Sequence, residues 1–407
     1  MKIAYAGTIA TDPTSPVENR QAPGIGRLAV SGDRIACNNL GKNVSFGVID
    51  GGGRIVWRGR FAATDFPEDE EASEFDLDAH ALLWERARDD VTGDGARDRV
   101  LFLNHFGKVR LLEAAAAWTE GAEDVVPAFA ARWAGDVACA ALAGDRLVSA
   151  GSAGYHVPDA PTPGILVSGA LAALPRPGAR PASTPPRVPR HDAPLPGAAS
   201  PDAPELPREI YLTDLGLIST LAVSSDASLL AIGAGDRLLI VPLVRSGAGP
   251  PLNLAIGRPL WERRLGFAPT WCCFSDGGTA CWAAGPEPAS AAAAAAGEWD
   301  RLEGGGFARV DLDGTVRLQR FFVDASPAWG NGGVPFVLAP PGGDASLLCL
   351  LRPGLLAAWS SNGARIGTAR IDRGPARGIA HLARFGRHVF CGFNRDGYRL
   401  HHFRLEE

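Results

Sequence analysis

Leu221-Ala-Val-Ser-Ser-Asp226, followed by Leu229-Leu-Ala-Ile-Gly233, Gly235-Asp236 and Leu238-Leu-Ile-Val-Pro-Leu243, is the stretch that decides the fold of this 407-residue chain. Each apolar run is short and ends at a turn of Ser, Asp or Gly. Such runs, separated by such turns, are typical of β-strands joined by hairpins. The stretch therefore predicts three short strands in succession.

The same unit recurs along the chain, with first turns near residues 32, 94, 144, 225, 276, 342 and 385. The separations are uneven because three segments of distinct composition interrupt the pattern. Without them the period is about 43 to 50 residues, which is the period of a four-stranded propeller blade. Seven repeats predict an all-β chain in which residues 1–407 form a single β-propeller domain.

Three insertions account for the extra length. Residues 65–78 form an acidic loop with eight carboxylates, residues 158–207 contain 14 prolines, and residues 286–306 are rich in Ala and Gly. Since proline removes backbone donors from a sheet, we expect residues 158–207 to be an extended, disordered insertion. A docking site for a partner that binds proline motifs is the alternative.

The stretch from Leu221 to Leu243 resembles a blade of WD-repeat or quinoprotein-like proteins, and Asp50-Gly-Gly-Gly-Arg-Ile-Val-Trp57 and Asp313-Gly-Thr-Val316 are similar. The resemblance implies a seven-bladed β-propeller of four-stranded antiparallel blades. The last repeat supplies only about three strands, so we expect Lys2 to Ile9 to pair with it as the fourth. That pairing would close the ring between the N- and C-terminal strands.

Composition excludes several function classes. The net charge is −5 and the chain has no broad basic run, which argues against a nucleic-acid partner. No apolar window is long enough to span a membrane, and the N-terminal apolar stretch is too short for a signal peptide. Seven cysteines without metal-binding spacing favour a reducing compartment, so we expect a cytoplasmic protein.

One loop could bind a metal. Asp90-Val-Thr92-Gly-Asp94-Gly-Ala-Arg-Asp98 resembles the calcium loop of integrin-type propeller repeats, which implies Asp90, Thr92, Asp94 and Asp98 as ligands of a calcium ion. Carboxylate oxygens are the ligands that Ca²⁺ prefers. Because Asp-Gly pairs also form ordinary turns, a plain hairpin is the alternative.

Other candidate residues favour structural roles. We expect Trp57, Trp271, Trp282 and Trp359 to pack between blades, and the turn serines to bind local backbone groups. His401 and His402 lie on a terminal strand that we expect to face solvent. No catalytic residue can be assigned, since no nucleophile elbow or phosphate loop is found.

These features favour a non-enzymatic protein–protein interaction scaffold in the bacterial cytosol that belongs to a multi-protein system. Propellers of this kind occur beside ATPase and von Willebrand A modules, which the resemblance implies as a partner class. The alternative is a metal-dependent hydrolase or lyase with its active site in the central channel.

Overall fold

The computed structural model of the chain describes residues 1–11, 24–31, 34–40, 45–60, 81–86, 98–103, 108–114, 129–132, 137–143, 146–152, 164–170, 208–212, 215, 217–246, 253–256, 258–275, 277–287, 304–322, 327, 335–341, 343–352, 354–371 and 380–406. These residues form strands and turns and contain no helix. The expected all-β class is therefore confirmed. None of the described segments forms a helix with the length and apolar character that crossing a bilayer requires.

The described strands are 29 in number. In chain order they are β1 (Lys2–Ala10), β2 (Gly24–Ser31), β3 (Arg34–Leu40), β4 (Ser45–Asp50), β5 (Ile55–Arg60), β6 (Ala81–Arg86), β7 (Asp98–Leu103), β8 (Lys108–Ala114), β9 (Phe129–Arg132), β10 (Cys139–Ala143), β11 (Arg146–Ser152), β12 (Gly164–Ala170), β13 (Arg208–Leu212), β14 (Ile218–Val223), β15 (Leu229–Ala234), β16 (Arg237–Ser246), β17 (Asn253–Ile256), β18 (Trp261–Arg264), β19 (Trp271–Phe274), β20 (Ala280–Gly285), β21 (Gly306–Asp311), β22 (Val316–Phe321), β23 (Phe336–Leu338), β24 (Ala345–Leu351), β25 (Leu355–Ser360), β26 (Arg365–Arg370), β27 (Ala380–Phe385), β28 (His388–Phe393) and β29 (Arg399–Glu406).

These strands pair into antiparallel sheets that follow one another along the chain. Sheet 1 contains β2 to β5, sheet 2 β6 to β9, sheet 3 β10 to β13, sheet 4 β14 to β18, sheet 5 β19 to β22, sheet 6 β23 to β26, and sheet 7 β27 to β29 with β1. Each first turn marked in the sequence falls between the first and second strands of one sheet. The expected four-stranded antiparallel units are therefore present.

The first strands of neighbouring sheets meet. β2 contacts β27 and β6, β10 contacts β6 and β14, and β14 contacts β19. Apolar side chains fill the space between sheets, and one buried cluster joins Trp271, Trp282 and Phe307 of sheet 5 to Phe336 and Trp359 of sheet 6. The tryptophans at 271, 282 and 359 therefore pack between sheets, as expected; the side chain of Trp57 lies outside the described residues.

A recurring turn connects the third and fourth strands and locks neighbouring sheets together. Gly53, Gly314 and Gly363 occupy the same position in three such turns, with φ of 83°, 82° and 80°. Only glycine adopts this conformation readily. A Cβ on Gly314 would lie 3.0 Å from Cγ of Trp261 in sheet 4, so the turn of sheet 5 sits directly against the outer strand of the preceding sheet.

The N-terminal strand belongs to the last sheet. β1 pairs antiparallel with β29, from Lys2 opposite Glu406 to Ala10 opposite Arg399. This is the pairing that the sequence predicts for Lys2 to Ile9. The two ends of the chain are thereby hydrogen-bonded to each other through backbone groups.

The outer strand of sheet 4 is in two pieces. β18 pairs with residues 237–240 of β16, and β17 pairs with residues 243–246 of the same strand. The sequence analysis does not predict this division, in which residues 257–260, including Gly257 and Pro259, separate the two pieces.

One expected boundary is wrong. Within the proline-rich insertion at 158–207, Gly164–Ala170 forms β12, which pairs with both β11 and β13. This stretch has no proline and contains Ile, Leu and Val in succession, so it can supply ladder donors that its surroundings cannot. Residues 171–207, the acidic loop at 65–78 and residues 288–303 of the third insertion lie outside the described residues.

Candidate functional site

Polar side chains on the first strands meet between sheets 1 and 7. Nη1 of Arg27, on β2, lies 3.3 Å from Nε2 of His381, on β27. Both side chains are buried, with 9% and 3% of their surface exposed. Burial, reinforced by the positive charge of Arg27, lowers the pKa of His381 well below its usual value. The imidazole is therefore neutral near pH 7 and accepts a hydrogen bond from the guanidinium.

Thiols occupy comparable positions further along. Sγ of Cys139 in β10 lies 3.8 Å from the carbonyl oxygens of Ala150 and Ile218, and so links sheets 3 and 4. Oγ1 of Thr220 lies 3.6 Å from Sγ of Cys272, which links sheets 4 and 5. Burial raises the pKa of the Cys272 thiol to about 12 and that of Cys139 well above its usual value.

A protonated thiol is a poor nucleophile and a poor metal ligand. His381, Cys139 and Cys272 are thus uncharged, and Arg27 is hydrogen-bonded within the fold. These contacts hold adjacent sheets together. Among the described residues, no group of three or more His, Cys, Asp or Glu side chains is arranged to hold a metal ion.

The two terminal strands and the last hairpin share a chain of hydrogen bonds. Nε2 of His401 lies 2.6 Å from Oδ2 of Asp396, and the hydroxyl of Tyr5 lies 3.1 Å from Nδ1 of the same ring. The Tyr5 hydroxyl also lies 2.7 Å from Oγ1 of Thr8. His401 is only 1% exposed, so the expectation that it faces solvent is wrong. The chain fixes β1 onto β29.

A pair of histidines, His388 and His402, lies on the other face of β29 from His401. Nδ1 of His388 lies 2.9 Å from Nε2 of His402, and the rings of His402 and Phe390 stack with centroids 4.5 Å apart. Burial, followed by the charges of His388 and Arg404, lowers the pKa of His402 to about 4. Burial and Arg404 also lower the pKa of His388. Two adjacent protonated imidazoles would repel each other, so the pair is stable only when at least one ring is neutral.

The first turns of sheets 4 and 5 flank a cavity of about 260 Å³. Its walls include Val223 and Ser225 from one turn and Cys273, Phe274 and Ser275 from the other. Serines beside it bind local backbone groups, as expected; Oγ of Ser275 accepts a hydrogen bond from the backbone N of Ala280 at 3.1 Å. No charged side chain lines the cavity, and its side-chain polar groups are the hydroxyls of Ser225 and Ser275 and the thiol of Cys273.

The predicted calcium loop lies almost wholly outside the described residues. Asp90, Thr92 and Asp94 precede the start of β7. Asp98 is the first residue of β7, where its backbone pairs with Arg86 and Ala114. Calcium binding at this loop stays a prediction, with a plain hairpin as the alternative.

Exposed apolar side chains lie on the outer strands of sheets 4 and 5. We call the exposed side chains of residues 258–264 and 316–321 the rim patch. Among the described residues, four large apolar side chains are exposed, and three of them, Leu260 at 56%, Val316 at 38% and Phe321 at 47%, belong to this patch. The same two segments contain five exposed arginines: Arg258, Arg263, Arg264, Arg317 and Arg320.

The sequence analysis did not identify the rim patch. Its two segments are more than 50 residues apart, and only the fold brings them together. A local signal does exist in Val316-Arg-Leu-Gln-Arg-Phe321, which places arginine and exposed apolar residues on one strand.

Comparison with known proteins informs the fold. No protein-family model matches the chain. No curated protein matches it either. Among solved structures, the WD40 domain of Toxoplasma gondii coronin superposes with a TM-score of 0.58 at 10% sequence identity, covering 99% of this chain and 86% of that chain.

This likeness shows a fold. Together with the antiparallel sheets described above, it establishes a WD-repeat-like β-propeller architecture. At this level of identity, the likeness carries no information about a specific partner or activity.

Proposed function

We propose that this chain is a non-enzymatic protein–protein interaction scaffold, and that its sheets form a seven-bladed ring closed by β1 and β29. The ring is supported by the contacts of β2 with β27 and β6 and by the pairing of β1 with β29. A rigid ring of this kind presents its loops and outer strands at fixed positions, which suits a docking platform.

The observation that carries the proposal is the rim patch. Large apolar side chains are rarely clustered on a surface that contacts only water, because their exposure is unfavourable. Leu260, Val316 and Phe321 are exposed on the neighbouring outer strands of sheets 4 and 5, which also carry exposed arginines, a residue type enriched at protein interfaces. The side chains of the first strands, in contrast, are engaged between sheets.

The proposal places the protein in the bacterial cytosol, as part of a multi-protein system. None of the seven cysteines forms a disulfide, which is compatible with a reducing compartment. Partners of the ATPase or von Willebrand A type are proposed only on the family resemblance.

A site-specific photo-crosslinker tests the scaffold function. We would introduce it in place of Phe321 in the full chain, irradiate cells of the native host, and identify conjugates by mass spectrometry. The matched control replaces Arg387, which is exposed in the turn between β27 and β28. We expect a defined protein conjugate from position 321 and none from position 387. Equal labelling from both positions, or none from either, would contradict the proposal.

A further inference from the structure

Side-chain hydrogen bonds hold the two parts of the rim patch in place. Nε1 of Trp261 donates to the carbonyl oxygen of Leu312 at 2.8 Å, and Nε of Arg263 donates to that of Gly314 at 2.7 Å. Further along, Nε2 of Gln319 donates to the carbonyl oxygen of Leu265. Residues 261–265 of sheet 4 are therefore bonded to the β21–β22 turn at two positions and to β22 at a third.

Aromatic packing fixes the far end of the patch. The rings of Phe321 and Phe267 meet edge to face, with centroids 6.4 Å apart. Phe267 is fully buried, whereas Phe321 is 47% exposed. Phe321 is thus held in place by the core while much of its ring remains available to a partner. Little side-chain entropy would be lost when a partner covers it.

The charge of the patch is opposite in sign to that of the whole chain. The two segments of the patch contain five exposed arginines and one carboxylate, Glu262, in a chain of net charge −5. Of these arginines, Arg317 pairs with Asp311 and Arg264 lies 3.7 Å from Asp236. Glu262 already pairs with Arg237 at 3.2 Å. Arg263 and Arg320 donate to backbone carbonyl oxygens, which carry no net charge and leave the positive charge of each guanidinium uncompensated.

The outer edge of β22 favours an extended partner. In the described part of sheet 5, β22 pairs with β21 on one side and with no strand on the other. The free edge of such a strand offers backbone donors and acceptors in a row. An extended segment can add to this edge by main-chain hydrogen bonds, while side-chain contacts give specificity.

We infer that the rim patch binds an extended, acidic segment of a partner protein, with apolar side chains interspersed among its carboxylates. The carboxylates pair with Arg317 and Arg320, and the apolar side chains cover Leu260, Val316 and Phe321. This inference rests on the proposed scaffold function and adds the chemical class of the partner. Arginine suits this role because its planar guanidinium binds carboxylates through two parallel hydrogen bonds.

The test uses a fluorescein-labelled synthetic peptide that alternates glutamate with tyrosine, titrated with the full chain and followed by fluorescence anisotropy. A peptide that alternates lysine with tyrosine is the matched probe. We expect the acidic peptide to bind and the basic peptide to bind at least about tenfold more weakly. Binding should also weaken as ionic strength rises, since exposed charges are screened by salt.

Variants locate the binding site. Arg317→Glu and Arg320→Glu should each reduce affinity about tenfold, and Phe321→Ser about threefold. Arg387→Glu, on sheet 7, should leave affinity unchanged. Since Arg317 also pairs with Asp311, Arg320→Gln provides a milder second variant, and the melting temperature of each protein is measured alongside.

Three results would overturn the inference: equal or tighter binding of the basic peptide, retained affinity in both arginine variants, or a dimer that dissociates in Phe321→Ser. The last result would assign the patch to a second copy of this chain. A protein conjugate at position 321 whose bound segment is not acidic would refute the partner class but support the scaffold function. Acidic-peptide binding without any protein conjugate in cells would support the partner class and refute the scaffold.

Discussion

The first strands and the rim patch contain similar polar side chains in opposite environments. Arg27 is 9% exposed and bonded to a neutral histidine, whereas the arginines of the rim patch are exposed and close to exposed apolar residues. A buried polar group must be satisfied within the fold, so its contribution is to stability. An exposed one is satisfied by water and remains available for binding. The proposed function therefore belongs to the outer strands.

The largest expected effect contrasts two phenylalanines of sheet 5. Phe307 on β21 is 1% exposed and packs in the cluster shared with sheet 6, whereas Phe321 on β22 is 47% exposed. Phe307→Ala should lower the free energy of unfolding by about 3 to 5 kcal/mol, because it leaves a cavity. Phe321→Ala should lower it by less than about 1 kcal/mol. Urea unfolding of both variants measures the difference. Similar losses would mean that the outer strand is part of the core.

A second pair contrasts two arginines. Arg27→Met removes the donor to His381 from a buried site and should destabilise the chain by about 2 kcal/mol. Arg320→Met, in the rim patch, should change stability by no more than about 0.5 kcal/mol. The melting temperatures of the two variants, recorded under the same conditions, provide the comparison. If the melting temperature of Arg27→Met equals that of the parent chain, the polar contacts of the first strands do not contribute to stability.

The third prediction concerns pH and the pair His388 and His402. Their pKa values are lower in the folded chain than in an unfolded one, so protonation favours unfolding. The stabilisation is complete above pH 6.5 and is lost as the pH falls toward 4. Because His402 is only half-buried, we expect a loss of about 1 to 2 kcal/mol.

Urea unfolding at several pH values between 7 and 4 measures this loss. His402→Phe retains the stacking on Phe390 but cannot be protonated, so its stability should vary less with pH than that of the parent chain. An unchanged pH dependence in this variant would assign the titration to other groups.

The smallest expected effect belongs to the loop from Asp90 to Asp98. If calcium binds there, a concentration ten times Kd should raise the stability by about 1.4 kcal/mol, and Asp94→Ala should abolish the gain. A thermal melt with and without calcium measures it. A parent chain that does not respond to calcium would favour the plain hairpin.

The parts of the fold that are encoded locally can be predicted from the sequence. Turns such as Ser224 to Ser228 depend on side chains that bind the adjacent backbone; Oγ of Ser224 accepts from the backbone N of Leu229 at 2.9 Å. Their positions, and the antiparallel strands around them, follow from residue type alone. β12 was not predicted, because the prolines around it dominate the composition of its segment.

Non-local contacts set the limits of prediction. The burial of His401 depends on Tyr5, which lies 396 residues away in the chain, and a pair of adjacent histidines gives no sign of which ring points inward. The rim patch likewise requires β18 and β22 to be neighbours in space. Exposed apolar residues become informative only when the fold shows that they are close together.

The most direct test of the account measures stability and partner capture on the same proteins. The double variant Leu260→Ser and Phe321→Ser should retain the melting temperature of the parent chain and lose the conjugate formed by a photo-crosslinker at position 317. Arg27→Met should show the reverse. Its melting temperature should be lower, but the conjugate should still form when crosslinking is carried out below that temperature. Two results would contradict the division between a structural interior and a binding rim. One is a conjugate that still forms in the double variant. The other is a double variant in which the conjugate is lost only because the melting temperature has also fallen.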